Sequence, residues 1–483
     1  MERGKEKMKK RRRILSLVFA ACLVITGIVS GAGVQKAEAA ARTEVIDVTD
    51  YGVYPDSGKD SAIGIQKAIA AAKDATKEGK EVKINFPEGR YDIYPDKAIE
   101  RELYVSNTVG ADQNNKMKKI GIFLEDMDHV TVDGNNSLFM FHGKMTTFAT
   151  IGCEDVEFKN FAVDFQVPTV IDMTVESVEG NTATMYIPEC YNYEVAGTTI
   201  KWYSDVSPYT GQRYWSISDL SGYHTQREDT VQGIKFGAGN GNAALKGVAS
   251  IEDLGNHRVK ITYNSKAGEV QNGMCFQSRP TVRDHAGTFF WKSKDIKMTS
   301  LDIQFLHGFG MVGQHSENIT MEDVDFEAPK ESGRTTAGYA DFVQMSGCKG
   351  AININNCTFA GPHDDPINIH GTFNTVTSIS SDRRTITVQY NHHETAGFPN
   401  FFEGDEIEFM TKGNMITVEN SVRTVTKVDG PDGMGGNMGE GSGSLTTIKL
   451  TLDKAIPADV QVNQHVVENI TYTPAVNISN CEF

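Results

Sequence analysis

Ile319-Thr320-Met321-Glu322-Asp323-Val324-Asp325-Phe326 alternates apolar and polar residues, breaks at an aspartate and resumes on a phenylalanine. The phrase returns as Ile352-Asn353-Ile354-Asn355-Asn356-Cys357-Thr358-Phe359 and as Val476-Asn477-Ile478-Ser479-Asn480-Cys481-Glu482-Phe483, with looser copies from Val130, Val156 and Ile296. Such alternation buries one face of a short strand. A break at Asn or Asp suits a turn whose backbone needs a left-handed residue. The intervals are 26 residues from Val130 to Val156, 23 from Ile296 to Ile319 and 33 from Ile319 to Ile352. Repeats of roughly 20–50 residues mark solenoids, and strand-only repeats mark a parallel β-helix. A helical solenoid fails because no apolar stripe of about 3.6-residue period runs through the units. An ordinary sandwich fails on the fixed strand–turn–strand phrase. The chain is therefore expected to be all-β, a right-handed parallel β-helix.

Working outward, a stack of such rungs needs a cover for its open end. Asp60 is placed to N-cap a helix over Ser61–Lys77, with Ile65, Ala68, Ile69 and Ala72 on its buried face. Val82–Phe86 then reads as a strand ended by Pro87-Glu88-Gly89. Two segments interrupt the repeat, 166–289 and 373–470, with long alternating strands such as Thr182–Ile187, Thr385–Tyr390 and Thr446–Leu452. They read as inserted antiparallel, barrel-like β modules, and Gly430–Ser444 as a mobile loop in the second. The expected organisation is a leader over 1–39, β-helix over 40–165, a module over 166–289, central rungs over 290–372, a second module over 373–470 and a last rung over 471–483. Because Phe483 closes a repeat without a cap, the natural chain is expected to continue.

Lys9-Lys10-Arg11-Arg12-Arg13, the apolar run Ile14–Val29 and Ala37-Glu38-Ala39 have the order of a secretory signal cleaved after Ala39. The rival, a lipoprotein anchored through Cys22, has an imperfect motif and would leave Leu23–Val29 apolar in the mature chain. A secreted or cell-surface protein without membrane insertion is expected. Loss of nine basic and three acidic residues with the leader takes the formal charge from −16 to −22. That acidity opposes nucleic acid and polyanionic substrates and is indifferent to neutral sugars. The six cysteines beyond Cys22 are widely spaced without a C-x-x-C pair, which argues against zinc and for small buried thiols.

The chemistry is expected where consecutive rungs align. Asp341-Phe342-Val343-Gln344-Met345-Ser346-Gly347 matches Asp365-Pro366-Ile367-Asn368-Ile369-His370-Gly371 at an offset of 24 residues, one rung. Equivalent positions on adjacent rungs lie ~4.8 Å apart, so Asp341 and Asp365 face the same way, with Asp364 beside them. Three carboxylates that close repel one another, and one holds a proton near neutrality. A protonated carboxyl next to an ionised one suits glycosidic bond cleavage. The competing uses are turn capping and Ca²⁺ binding. The interval from Ile319 to Ile352 is long for one rung, and its extra chain, Glu327–Tyr339 with Lys330 and Arg334, is expected to project over the acids as a pocket wall.

Six segments carry a resemblance: Phe86–Asp92, Arg101–Asn107, Phe141–Lys144, His307–Gly313, Asp341–Cys348 and Asp364–Gly371. With them the sequence resembles glycoside hydrolase family 110, exo-acting α-galactosidases that include α-1,3-galactosidases. The resemblance implies a β-helix with inserted barrels, no cofactor or metal, an inverting mechanism, a glycan substrate with terminal α-galactose, and catalytic Asp341, Asp364 and Asp365. Asp341 becomes the general acid, and Asp364 or Asp365 the base holding water. The close rung spacing by itself sits nearer the separation used for retention, so inversion rests on the resemblance alone. Arg101, Glu102, Asn107, His142, Arg283, Arg334 and His370 are candidate sugar ligands, able to pair with hydroxyls. Trp202 and Trp215 either stack on a sugar or fill the first module's core. Pro366 departs from the family's pattern and leaves the linkage preference open.

A polygalacturonase also uses one Asp followed by an Asp pair, but its Gly-His-Gly and Arg-Ile-Lys signatures are missing here. A polysaccharide lyase would need a basic proton abstractor, usually with Ca²⁺. A non-catalytic carbohydrate-binding β-helix would keep its function when Asp341 or Asp365 is replaced. Oligomeric state, linkage and aglycone are not legible in the sequence.

Overall fold

A computed structural model describes residues 43–108, 117–218, 224–229, 234–236, 244–265, 270–280, 283–391, 399–430 and 447–483. The expected leader and nearly all of the Gly430–Ser444 stretch lie outside them. The repeat forms a single parallel ladder. Val82 pairs with Val130, Val130 with Val156, Val156 with Ile296, Ile296 with Ile319, Ile319 with Ile352, and Ile352 with Val476. Two positions on, Ile84, Val132, Phe158, Met298, Met321 and Ile354 occupy one column, all buried in the core. Each short strand hides only one face; stacking turns those faces into a continuous interior.

The polar break in the phrase is the corner of each rung. Asp323, Asn356 and Asn480 hold φ of 56°, 54° and 55°, left-handed values that Asn and Asp tolerate best among residues with a side chain. Their side chains also bond along the stack, as Asn480 Nδ2 to Asn355 Oδ1 at 2.8 Å and Asn160 Nδ2 to Asp133 Oδ1 at 3.0 Å. The closing phenylalanines stack: Phe326 on Phe359 at 5.2 Å and Phe359 on Phe483 at 5.3 Å.

A second sheet forms the opposite wall, in the order Ile367–His370, Val343–Ser346, Met311–Gln314, Thr288–Trp291, Thr146–Ile151, Met117–Glu125 and Ile99–Glu102. All pairs are parallel except the last, an antiparallel edge. With both walls parallel, each crossover takes the right-handed sense that this geometry strongly favours.

The helix runs over Ala62–Lys77 and buries Ile65, Ala68, Ile69 and Ala72 against the first rungs. The cap differs from expectation by one position. Ser61 occupies the N-cap without a side-chain bond, and Asp60 one residue earlier accepts from Ala62 N at 2.9 Å and from Tyr94 N at 3.2 Å. Asp60 thus ties the helix to the first rung. Asp60→Ala is expected to cost about 1 kcal/mol, read as a lower thermal midpoint.

The first module is an open seven-stranded antiparallel sheet with a small three-stranded one, and the second is a closed six-stranded barrel over Asn374–Asn469 among the described residues. The rung strand Thr288–Trp291 begins before residue 289, so the first module ends slightly earlier than its sequence pattern indicates. Trp202 and Trp215 lie in that module's core, which decides their role as filling. The first module leaves the helix where the long sheet turns toward the second wall, and the barrel leaves on the opposite turn, between Ile367–His370 of the second wall and Ala475–Ser479 of the long sheet. The loops 304–310, 327–342 and 360–366 turn where the first module does, and this edge carries the site.

Candidate active site

The ladder between Val343–Ser346 and Ile367–His370 has the expected offset, Val343 opposite Ile367 and Ser346 opposite His370. It continues one step back, with Phe342 N donating to Asp365 O at 3.0 Å. Phe342 and Val343 are both in the core, so alternation breaks between them and Asp341 leaves the interior. The carboxylates of Asp341, Asp364 and Asp365 converge with oxygens within 4.8 Å of one another. Asp341 is 3% exposed, while Asp364 and Asp365 are open to solvent.

Burial, then Asp364 and Asp365, push the Asp341 carboxyl up to about 7, against the pull of Arg283 and a hydrogen bond from Asn368. Asn368 Nδ2 lies between Asp341 Oδ2 at 3.4 Å and Asp365 Oδ2 at 3.2 Å. A donor bridging two of the carboxylates suits proton sharing better than a cation, which would want acceptors there. Because that amide favours the ionised form, Asn368→Ala is expected to raise the Asp341 pKa further. A ¹³C titration of the carboxyl reads the shift.

Register places Gln344 opposite Asn368, and Asn107 Nδ2 reaches Gln344 Oε1 at 3.3 Å. Asn107 holds a left-handed φ of 61°. Ser106 N donates to Gln314 Oε1 at 2.8 Å, and Ser346 Oγ donates to Ser106 Oγ at 2.9 Å, so this segment is pinned across the second wall. Gln344 Nε2 and His370 Nε2 are buried without a hydrogen bond among the described residues, a costly state unless a ligand meets them.

A polar scaffold lies under Arg283, whose guanidinium sits 4.8 Å over the Phe309 ring. The next residue, Asp284, takes His307 Nε2 on Oδ1 at 2.6 Å and Lys144 Nζ on Oδ2 at 3.0 Å, and its carbonyl accepts from Lys118 Nζ. His307 is fully buried, and burial drives its pKa down to about 4 in spite of Asp284. The neutral ring therefore donates through Nε2 and accepts from Thr169 Oγ1 on Nδ1 at 2.6 Å. Asp284, His285 and His307 have metal-like spacing, but two ammonium groups on Asp284 make it a poor cation site. Nearby, Arg279 is buried over Tyr339 at 4.7 Å and reaches His363 Nδ1 at 3.2 Å.

The structure therefore gathers Asp341, Asp364, Asp365, Asn107, Arg283 and His370 on neighbouring elements. Four other expected ligands are placed elsewhere. Arg101 lies on the edge strand opposite Ile367–His370 in the sheet and pairs with Glu125 at 3.2 Å. Glu102, on the same strand, accepts from Tyr104 Oη at 3.0 Å. His142 precedes Thr146–Ile151, three strands from Val343–Ser346 and so about 14 Å away along the stack. Its ring nitrogens are taken by Asp92 and Asp205. Arg334 is buried in a two-pronged pair with Asp164, at 3.0 and 2.7 Å. Its loop does not project as a wall. Thr335 N bonds Asp172 Oδ2 at 2.7 Å and Tyr339 Oη bonds Pro280 O at 2.5 Å, packing the extra chain onto the first module.

Comparison with known proteins follows the same line. The GLAA-B beta-barrel domain II family model matches residues 385–432, which supply Thr385–Tyr390, Glu406–Thr411 and Arg423–Asp429 to the closed barrel. Alpha-1,3-galactosidase A of Streptomyces avermitilis is 43% identical over 459 residues, 94% of this chain and 72% of that protein. The chain belongs to the α-1,3-galactosidase family. Family relatives from Peterkaempfera griseoplana and Bacteroides fragilis, both named alpha-1,3-galactosidase A, are 40% and 31% identical over 91% and 92% of this chain. The chain spans 60% of the first and 68% of the second. Among solved structures, an exopolygalacturonase from Thermotoga maritima is similar at a TM-score of 0.32 and 12% identity, over 68% of this chain and 55% of that one.

Proposed function

We propose that the chain is an exo-acting glycoside hydrolase that releases terminal α-linked galactose, α-1,3-linked by preference, by an inverting acid/base mechanism. One observation carries the chemistry: a buried carboxyl that holds its proton to about pH 7 sits within 4.8 Å of two exposed carboxylates. Asp341 donates its proton to the glycosidic oxygen as the bond to the anomeric carbon breaks. Asp364 or Asp365 takes a proton from the attacking water on the other face of the sugar. Asn368 orients the pair, and Arg283, Gln344, Asn107 and His370 supply hydrogen bonds to sugar hydroxyls. The carboxylate oxygens lie within 4.8 Å of one another, closer than the ~6.5–9.5 Å usual for inversion, so the inverting course, like the linkage, rests on family membership. The basic-then-apolar start and the Ala37-Glu38-Ala39 site support export to the cell surface or medium.

The test is incubation with α-1,3-, α-1,4- and α-1,6-linked galactosides, following the released anomer by NMR. Fastest release from the α-1,3 linkage, with β-galactose appearing first, is expected. No galactose from any substrate overturns the assignment, and α-galactose appearing first overturns inversion.

A further inference from the structure

A cavity of about 550 Å³ opens on the same loop edge, several rungs from the aspartates, between the first rung and the first module. Its back wall is the His142 ring, stacked on Tyr94 at 3.7 Å. His142 Nδ1 meets Asp205 Oδ2 at 2.6 Å and Nε2 meets Asp92 Oδ1 at 3.0 Å. Arg90 Nη2 binds both Asp92 Oδ1 at 2.6 Å and Gln166 Oε1 at 2.8 Å. The galactosidase chemistry uses none of these groups.

The pocket is held in shape before any ligand arrives. Ser207 Oγ donates to Asp96 Oδ1 at 2.7 Å, Tyr209 Oη to Asp60 Oδ2 at 2.9 Å, and Tyr214 Oη also bonds Asp96. These contacts clamp the module's 204–214 tongue onto the first rung.

Its chemistry selects among ligand classes. Burial works against a charged His142, yet the hydrogen bonds to Asp205 and Asp92 raise its pKa above the ordinary value. His142 and Arg90 face Asp92 and Asp205, and Asp56 also lines the cavity. Three carboxylates repel an anion, and Arg90 opposes a cation. What remains is a mixed set of hydrogen-bonding groups. Asp205 Oδ1 is buried and accepts nothing from the described residues. Tyr94, Arg90 and Gln166 line the cavity, and Tyr94 Oη, Arg90 Nη1 and Gln166 Nε2 have no protein acceptor among the described residues. Acceptor and donors side by side match hydroxyls, which do both.

We infer that this pocket is a second saccharide-binding site, taking a neutral sugar ring through hydroxyl bonds to Asp205, Arg90, Tyr94 and Gln166. It holds a glycan away from the bond being cut, and it does not depend on the proposed reaction.

Lactose, a β-galactoside, is the probe. Crystals of the full chain soaked in lactose are expected to show a ring here with a hydroxyl on Asp205 Oδ1. In calorimetry, Val206→Trp, which fills the mouth, is expected to weaken this binding about tenfold or more, and Tyr94→Phe a few-fold. Turnover of a small aryl α-galactoside stays unchanged in both and reports correct folding. An empty pocket at lactose concentrations that fill the aspartate site overturns the inference, as does unaltered affinity in both variants. A chain that binds lactose here but cleaves no galactoside supports this site and sinks the proposed activity.

Discussion

Asp341→Asn is expected to lower kcat on a natural galactoside by about 10²–10⁴-fold and, at the same time, to stabilise the fold above pH 7. Both effects have one cause. The carboxyl is buried beside Asp364 and Asp365, which lifts its pKa to about 7. A protonated acid at the glycosidic oxygen is what bond cleavage needs, and asparagine has no acidic proton to give. An aryl galactoside with a good leaving group needs little protonation and is expected to lose far less. Wild-type kcat/KM is expected to fall as pH rises through about 7, where the Asp341 proton is lost.

The stability effect has the opposite pH sense from a salt-bridged carboxylate. Below the unfolded pKa of about 3.9 both states are protonated and Asp341 contributes nothing. As pH rises, the unfolded chain ionises freely while the folded chain keeps its proton, and the penalty grows until pH passes about 7. Removing the charge is therefore expected to stabilise by roughly 2–4 kcal/mol above that pH and by little near about pH 4. Thermal or urea melts across that range measure it. Equal stability of the two proteins at every pH would show that Asp341 is not strained, and full activity of the variant would remove it from the acid's role.

Gly310→Ala is expected to destabilise the chain by about 3–5 kcal/mol and to abolish activity without touching a carboxylate. A Cβ on Gly310 would stand 1.9 Å from Asp341 O and 2.7 Å from Phe342 O, with φ at 47°. Both obstacles are backbone, so no side chain can swing aside. Gly308 has the matching conflict below, 2.0 Å from His285 O at φ 79°. The His307–Gly310 loop is thus pressed between the backbones of its two neighbouring rungs, and the upper one carries Asp341. A useful control is Gly180→Ala, with φ 62° but nothing within 4 Å of its Cβ, which costs only about 1–2 kcal/mol. Melting points of the two variants separate the clash from the backbone preference. Comparable losses in both would mean that the packing of Gly310 is unimportant.

Asn368 and Gln344 were within reach of sequence reading, because the offset that aligns Asp341 with Asp365 also sets Gln344 opposite Asn368. By contrast, no periodic signal marked Arg279 or the Asp284–His307 pair, whose partners come from inserted chain and from rungs without the repeat phrase. Arg101 and His142 lie in motif segments and Arg334 in the long interval before Asp341, but they close ion pairs with Glu125, Asp205 and Asp164 instead.

The sequence alone determined the rung ladder, the corner residues and the meeting of Asp341 with Asp365. In a parallel β-helix the partner of each residue is its equivalent one repeat away, so counting along the chain is equivalent to measuring in space. Tertiary structure alone decided which polar side chains surround those aspartates, how deeply Asp341 is buried, and where a second pocket opens. Those outcomes depend on how the inserted modules pack against the stack, through contacts between residues far apart in sequence that no repeat relates.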